Sequence, residues 1–153
     1  MEKTKMKIVL ASSAGGHLTE LFELLPQDLN KDKFVIFTEK NDRTSKLKNK
    51  TYFFKPLLYN PFPYFPALLR CIKILRKENV NVLVTNGAEI GLPAIIAAKF
   101  LGIKTIYIDI SAAATIRTLA GKFSYPFSDI FLVQYPEMAR HYGKRAKYVG
   151  GIV

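Results

Sequence analysis

A histidine that follows two glycines is the first candidate for chemistry in this sequence. An apolar run at 8–11 leads into Gly15 and Gly16, and a helix-like stretch begins near Leu18. Glycines there let a ligand approach the backbone amides of the helix N-terminus. His17 stands at the same turn, where the helix dipole disfavours a charged ring, so a neutral imidazole could accept a proton from an attacking hydroxyl. A packing turn with a helix-capping histidine is the alternative, because the full G-x-G-x-x-G pattern is absent.

Three polar residues follow other predicted strands. Asn86 and Glu89 come after the apolar run 79–85, and Asp109 ends the run 104–109. The carboxyl ends of parallel strands meet at one edge of a sheet, and such folds bind their ligands there. These side chains are therefore expected near the glycine turn.

Strand and helix patterns alternate over the whole length and predict a doubly wound parallel α/β sheet. Apolar runs typical of strands buried on both faces lie at 8–11, 34–38, 51–54, 79–85, 104–109, 129–134 and 146–149. Helical patterns lie at 18–25, 68–77 and 94–101, within 111–123, and at 136–142. Pro93 is expected in the first turn of the third helix, where its missing N–H is not needed. The basic segment 39–50 is expected to be a solvated loop.

The length of 153 residues predicts one domain over 1–153, with a proper core. The single cysteine, Cys71, excludes an internal disulfide, and two histidines leave little material for a zinc cluster, so neither metal nor cofactor is expected. The N-terminus has no secretion signal pattern. The longest apolar stretch, 91–103, is shorter than the roughly 20 residues that span a bilayer and contains Lys99. A cytoplasmic protein is predicted.

The formal net charge of +11 indicates an anionic partner. Nucleic acid, phospholipid headgroups and a diphosphate-bearing substrate all meet this requirement. Charge alone does not choose among them.

The stretch 52–66 contains seven aromatic residues and four prolines, which exclude a regular helix there, so 57–66 is expected to be a loop. A basic helix follows, with Leu68, Leu69, Ile72 and Leu75 on its apolar face. An aromatic loop before a basic amphipathic helix is typical of contact with an anionic membrane surface. An ordinary core-facing helix is the alternative. The predicted membrane contacts are Phe62, Tyr64, Phe65, Arg70, Lys73, Arg76 and Lys77.

Four motifs in order, at 12–17, 85–93, 121–123 and 131–134, resemble the acceptor-side subunit of two-part β-glycosyltransferases. That family includes the membrane-recruiting subunit of the eukaryotic transferase that adds the second GlcNAc to dolichol diphosphate-GlcNAc. It also includes bacterial homologues from capsule and exopolysaccharide pathways, and the chain is most similar to this bacterial branch.

The resemblance implies the Rossmann-like, amino-terminal half of a GT-B transferase, with a separate subunit supplying the UDP-sugar half. In one-piece relatives a strand end like Gly150-Gly151 leads into the second domain, so an end at Val153 favours a split enzyme. The implied acceptor is a polyprenyl-diphosphate-linked saccharide, and the implied location is the inner face of the cell membrane. The isolated chain is then expected to be inactive. The implied roles are His17 as catalytic base and Gly15, Gly16, Asn86, Glu89, Asp109 and Arg117 as substrate-binding residues.

One corner of the sequence departs from that bacterial pattern. The strand matching 106–109 ends in glutamate in the family, and an arginine follows four positions later, where this chain has Asp109 and Ala113. Arg117 is the nearest cation. This departure leaves open a noncatalytic, activity-enhancing subunit.

Two other classes of protein fit less well. A dinucleotide-binding oxidoreductase would need a third glycine and an acidic residue after the second strand, where Glu39 is the nearby candidate. A nucleic-acid-binding module fits the charge, but no RNA- or DNA-reading motif is present, and the aromatic residues cluster with prolines. No nucleic-acid partner is therefore expected.

Overall fold

The computed structural model describes residues 5–58 and 60–150. Its strands are β1 Ile8–Ala11, β2 Val35–Glu39, β3 Thr51–Phe54, β4 Val82–Thr85, β5 Lys104–Ile108, β6 Ile130–Val133 and β7 Ala146–Tyr148. Its α-helices are α1 Gly16–Leu24, α2 Tyr64–Lys77, α3 Ala88–Phe100, α4 Leu119–Ser124 and α5 Pro136–Tyr142. Tyr59 of the predicted aromatic loop, and Gly151 and Val153 at the predicted strand end, lie outside the described residues.

The seven strands form one parallel sheet in the order β3-β2-β1-β4-β5-β6-β7. Leu10 of β1 pairs with Ile36 of β2 on one side and with Val84 of β4 on the other. The strand order therefore reverses between β1 and β4, and doubly wound sheets bind ligands outside the carboxyl ends of the strands at such a point. The predicted Rossmann-like fold is confirmed.

Successive side chains of a strand point to opposite faces of the sheet, so alternate strand residues pack into two separate hydrophobic cores. Val9 and Ala11 belong to the larger core, which α2, α3 and α5 cover, whereas Leu10 belongs to the smaller core beneath α1. The third helix is apolar nearly all round because it packs centrally on the sheet, and seven of its thirteen residues are buried. Among residues 5–58 and 60–150, no helix has the length and apolar character to span a bilayer.

Two prolines lie in helices at positions that differ from the predictions. The second helix begins at Tyr64 and takes Pro66 into its first turn, where a missing N–H breaks no intrahelical bond, so the prediction of a loop through 66 was wrong. The third helix begins at Ala88, so Pro93 lies inside it and not in its first turn. Gly87, at φ 87°, allows this early start directly after β4.

Candidate functional site

The turn between β1 and α1 forms a small open platform at the reversal point. Gly15 has φ 104° and ψ −137°, a conformation that side-chain-bearing residues rarely adopt. A Cβ atom at Gly15 or Gly16 would meet nothing within 4 Å, so both glycines border free space. No side chain of the described residues caps the helix start. The first-turn amides of α1 can therefore bind an anion.

Glu39, the last residue of β2, holds this turn in place. The Ala14 amide donates to one carboxylate oxygen at 2.6 Å, and the Ser13 hydroxyl donates to the other at 3.1 Å. From sequence, Glu39 is a candidate only for the acidic residue of a dinucleotide-binding fold. In the structure it orders the glycine turn from the neighbouring strand, a role that its position at a strand end could have suggested.

Asn86 joins the two sides of the reversal point. The Ser12 hydroxyl donates to Asn86 Oδ1 at 2.7 Å, and Asn86 Nδ2 donates to the His17 carbonyl at 2.6 Å. Asn86 is only 1% exposed. The structure therefore puts this predicted substrate-binding residue beneath the turn, where it positions the segment that carries His17.

His17 lines one end of a groove of about 920 Å³. Its Nδ1 atom is buried and has no hydrogen-bond partner among the described residues. Ser13 and Glu89 lie at the same polar end. The rest of the groove is mainly apolar: α2 contributes Phe65 and Leu68, α3 contributes Leu92 and Ile96, and α4 contributes Leu119 and Phe123.

Glu89 lies in the first turn of α3, and the chain itself engages its carboxylate. One oxygen accepts the Leu57 amide at 2.7 Å and the Leu58 amide at 2.9 Å. These bonds hold the segment between β3 and α2 against the groove, and Leu58 lines the groove there. Glu89 therefore shapes the polar end of the groove in addition to bordering it.

Asp109 does not reach the groove. It follows β5 and is 1% exposed, and its Oδ2 atom has no hydrogen-bond partner among the described residues. Burial raises the pKa of this carboxyl from 3.8 to about 6, although hydrogen bonds led by the Ile110 amide offset part of that effect. A direct substrate contact, as predicted, would require Asp109 to become accessible.

Two residues that have no predicted role, one of them in the motif at 131–134, anchor this corner of the sheet. Gln134 Nε2 donates to the Asp109 carbonyl at 2.8 Å and to Glu20 Oε1 at 2.7 Å. Glu20 also accepts the Ser111 amide at 2.6 Å. Gln134 follows the strand β6, so its position resembles that of the predicted site residues, whereas Glu20 lies mid-helix and carries no sequence signal.

The residues that depart from the family pattern lie between β5 and α4. Ala113 is buried, and its amide donates to the Ile110 carbonyl at 3.0 Å. Arg117 is exposed and lies outside the groove lining. The structure does not bring Arg117 together with His17 as a groove residue.

The predicted membrane-contact residues lie along one lip of the groove and on α2. Phe62 is 84% exposed and Phe65 is 66% exposed, whereas Tyr64 is half-buried in the groove wall. Arg70 stacks 4.4 Å over the Phe54 ring and donates to a strand carbonyl. Lys73, Arg76 and Lys77 are exposed.

Leu75 of the predicted apolar face is buried, and Leu68 and Ile72 are partly buried against the core, but the fully buried face of α2 differs from the predicted one. It contains Ala67, Cys71, Ile74 and Leu75, whereas Leu69 is exposed. The prediction for Leu69 was wrong because the helix begins earlier and packs through its small residues Ala67 and Cys71. The exposed Leu69 adds to the apolar surface on the outer side of this helix.

A second exposed apolar lip, which the sequence analysis did not predict, lies across the groove. Ile116 is 76% exposed, and Leu119 and Phe123 are also exposed. Leu119 and Phe123 are four residues apart on α4, which places them on one helix face. That spacing is visible in the sequence, but only the fold brings this face opposite α2.

The chain is similar to known proteins in sequence and in fold. Residues 55–152 match a family model described as oligosaccharide biosynthesis protein Alg14 like. A Schizosaccharomyces pombe protein named UDP-N-acetylglucosamine transferase subunit alg14 is 35% identical over 115 residues, covering 69% of this chain and 53% of that protein.

A protein from Oceanobacillus iheyensis is also similar. Its name is UDP-N-acetylglucosamine--N-acetylmuramyl-(pentapeptide) pyrophosphoryl-undecaprenol N-acetylglucosamine transferase, and it is 28% identical over 111 residues, covering 72% of this chain and 30% of that protein. The crystal structure of Acinetobacter baumannii MurG shares the fold, with a TM-score of 0.72 and 14% identity over 96% of this chain and 46% of that one. This chain spans about half the length of the S. pombe relative.

Proposed function

Because this chain belongs to the Alg14-like family of oligosaccharide biosynthesis proteins, we propose that it is the acceptor-binding, membrane-recruiting subunit of a heteromeric glycosyltransferase. The enzyme transfers a sugar from a UDP-sugar to a polyprenyl-diphosphate-linked saccharide on the cytoplasmic face of the cell membrane, in capsule or exopolysaccharide synthesis. A second subunit supplies the UDP-sugar half of the cleft. The observation that carries this proposal is the groove with His17 at its polar end and apolar walls beyond.

The groove suits an acceptor that has a charged head and an apolar tail. The uncapped first turn of α1 offers amides and a positive dipole end to the diphosphate. His17, in the same turn, lies where the acceptor hydroxyl would lose its proton during attack on the sugar. A transfer that inverts the configuration at the sugar carbon under attack takes one displacement and one base, so a single histidine is sufficient as the catalytic base.

The chain alone should bind UDP-sugars weakly or not at all, because the donor half of the cleft lies on the other subunit. Isothermal titration calorimetry with UDP-GlcNAc, UDP-Gal and UDP-Glc measures this, first on the chain and then on the complex with its partner. Binding should be seen only with the complex. Tight binding of any of the three to the chain alone would contradict a split enzyme.

The chain should float with vesicles that contain anionic lipid, through its exposed aromatic residues and the cations of α2. Each lysine or arginine near such a surface contributes about 1 kcal/mol, and salt screens this attraction. Exchanging Arg70, Lys73, Arg76 and Lys77 for glutamine should therefore abolish most of the flotation at moderate salt.

The matched control for the flotation assay removes the same charge elsewhere. Lys104, Arg140, Lys144 and Lys147 are exposed and lie outside α2 and the groove lining, so their exchange for glutamine should have a much smaller effect. Equal flotation of the two variants would identify α2 as an ordinary core-facing helix. Binding to mixed-sequence RNA without binding to vesicles would favour the nucleic-acid alternative.

A noncatalytic, activity-enhancing subunit is the second candidate function. The segment after β5 favours this second function, because the acid and the arginine that the resemblance implies do not come together in the groove. Asp109 and Ala113 are buried, and Arg117 is exposed outside the groove lining. Replacement of His17 in the assembled enzyme distinguishes the two functions.

A further inference from the structure

We propose that the apolar part of the groove binds the first isoprene units of the lipid acceptor, as a prenyl-chain site continuous with the head-group site at His17. This inference rests on the proposed function, because it assumes that the diphosphate lies over the first turn of α1. It adds a defined binding site on the protein for the lipid chain itself.

The floor of the groove is a surface that an apolar chain can cover without loss of hydrogen bonds. Leu92, Pro93 and Ile96 of α3 form this floor, and Pro93 has no amide hydrogen. Ile96 lies seven residues beyond Glu89, so the floor extends about 10 Å from the polar end at the helical rise per residue. Over that length the floor presents hydrocarbon.

The walls continue the same pattern from the polar end outwards. Tyr64, Phe65 and Leu68 of α2 face Leu119 and Phe123 of α4 across the floor. The charged or ionisable groups in the described lining, apart from the tyrosine hydroxyl, are His17 and Glu89, both at the polar end. The volume of about 920 Å³ lies near the upper end of the range of about 300–1,000 Å³ for small-ligand sites. This order of groups matches a molecule with one polar head and one apolar chain. The diphosphate then lies over the uncapped first-turn amides of α1, whereas the Glu89 carboxylate is engaged by the Leu57 and Leu58 amides.

The rims of the groove indicate that its occupant comes from a bilayer. Phe65 on one lip and Phe123 on the other are exposed. The helices that carry them also carry exposed lysines, Lys73 on α2 and Lys122 on α4. Aromatic and basic groups on both lips suit an anionic membrane surface. A prenyl chain can then pass from the bilayer into the groove without crossing water, and this favours the lipid over a helix of a partner protein.

The test measures how affinity depends on chain length in the isolated full chain. Inorganic diphosphate, geranyl diphosphate and farnesyl diphosphate are titrated calorimetrically in detergent-free buffer, below the concentrations at which the lipids form micelles. Affinity should rise by about tenfold for each added isoprene unit, because each unit removes further apolar surface from water. Equal affinities for the three ligands, or no binding of either prenyl diphosphate, would overturn the proposal.

A groove variant and a matched control on the same helix sharpen the test. Ile96→Gln places a polar group on the groove floor and should weaken farnesyl diphosphate binding by about tenfold, with inorganic diphosphate binding unchanged. Phe100→Gln, one turn further along α3, changes an exposed side chain outside the groove lining and should leave both affinities unchanged.

The outcomes separate this inference from the proposed function. Diphosphate binding without any effect of chain length leaves the head-group site standing and refutes the prenyl-chain site. Binding that depends on chain length in a complex that transfers no sugar refutes the proposed function and supports the groove. If Ile96→Gln retains farnesyl diphosphate affinity but no longer binds the donor subunit, the groove is a protein interface and the inference is wrong.

Discussion

His17→Ala should lower the turnover of the assembled glycosyltransferase by about 100- to 10,000-fold, the range typically lost with a general base. The imidazole lines the polar end of the groove, one residue after the glycines that border free space. The backbone carbonyl of His17 accepts a hydrogen bond from Asn86, so the backbone that carries the ring is fixed before a substrate arrives. Turnover is measured in the complex at saturating UDP-sugar.

Thermal stability and partner binding of His17→Ala should remain close to those of the unchanged protein, because His17 Nδ1 makes no hydrogen bond within the described residues. His141→Ala is the control, since His141 is exposed on α5, away from the groove. Removal of the His141 imidazole should change turnover little. A decrease of less than about threefold for His17→Ala, far below the general-base range, would assign this residue to structure and favour the activity-enhancing role.

The sheet could be predicted because parallel strands that are buried on both faces appear in sequence as uninterrupted apolar runs. The runs at 8–11, 51–54 and 104–109 correspond to β1, β3 and β5 within a residue. The order of the strands, with its reversal between β1 and β4, does not follow from these runs. The runs do locate the carboxyl ends of the strands, where doubly wound sheets bind their ligands.

The direction in which each polar side chain points could not be predicted. Asn86 and Asp109 follow strands just as the glycine turn does, yet both are buried. The Asn86 side chain holds the His17 carbonyl, and the Asp109 carbonyl is itself held by Gln134. Glu89 borders the groove and also accepts two loop amides. A residue at a strand end can face a ligand or its own chain, and the partners that decide this are distant in sequence.

The groove itself is also a product of long-range order. Its lips, α2 and α4, are separated in the chain by two strands and the helix α3, and they face one another because that helix packs between them on the sheet. Periodicity gave the basic face of α2 but no reason to pair it with Leu119 and Phe123. Sequence patterns predict elements, whereas a surface shared by two elements depends on how the sheet orders them.

Asp109→Asn should make the protein more stable above pH 6, by up to about 3 kcal/mol, since its pKa rises from 3.8 to about 6 in the folded state. Burial of the carboxylate is the main cause. The stability associated with this group is fully present below pH 3.8 and is lost as the pH rises through about 6. Asparagine has no charge to bury, so the two proteins should have similar stability near pH 4 and differ most above pH 6.5. Urea denaturation at several pH values measures the difference.

Glu78→Gln provides a control of opposite sign at the other edge of the sheet. Burial opposes ionisation of Glu78, but hydrogen bonds from Lys50, Lys7 and Tyr52 outweigh it and lower its pKa from 4.5 to about 2. This carboxylate stabilises the fold above pH 4.5, and that contribution is lost as the pH falls towards 2. The variant should therefore be less stable than the unchanged protein at neutral pH. The prediction for Asp109→Asn would be contradicted by an equal loss of stability at every pH. Such a result would mean that Asp109 stabilises the fold through its hydrogen bonds and that its buried charge does not destabilise it.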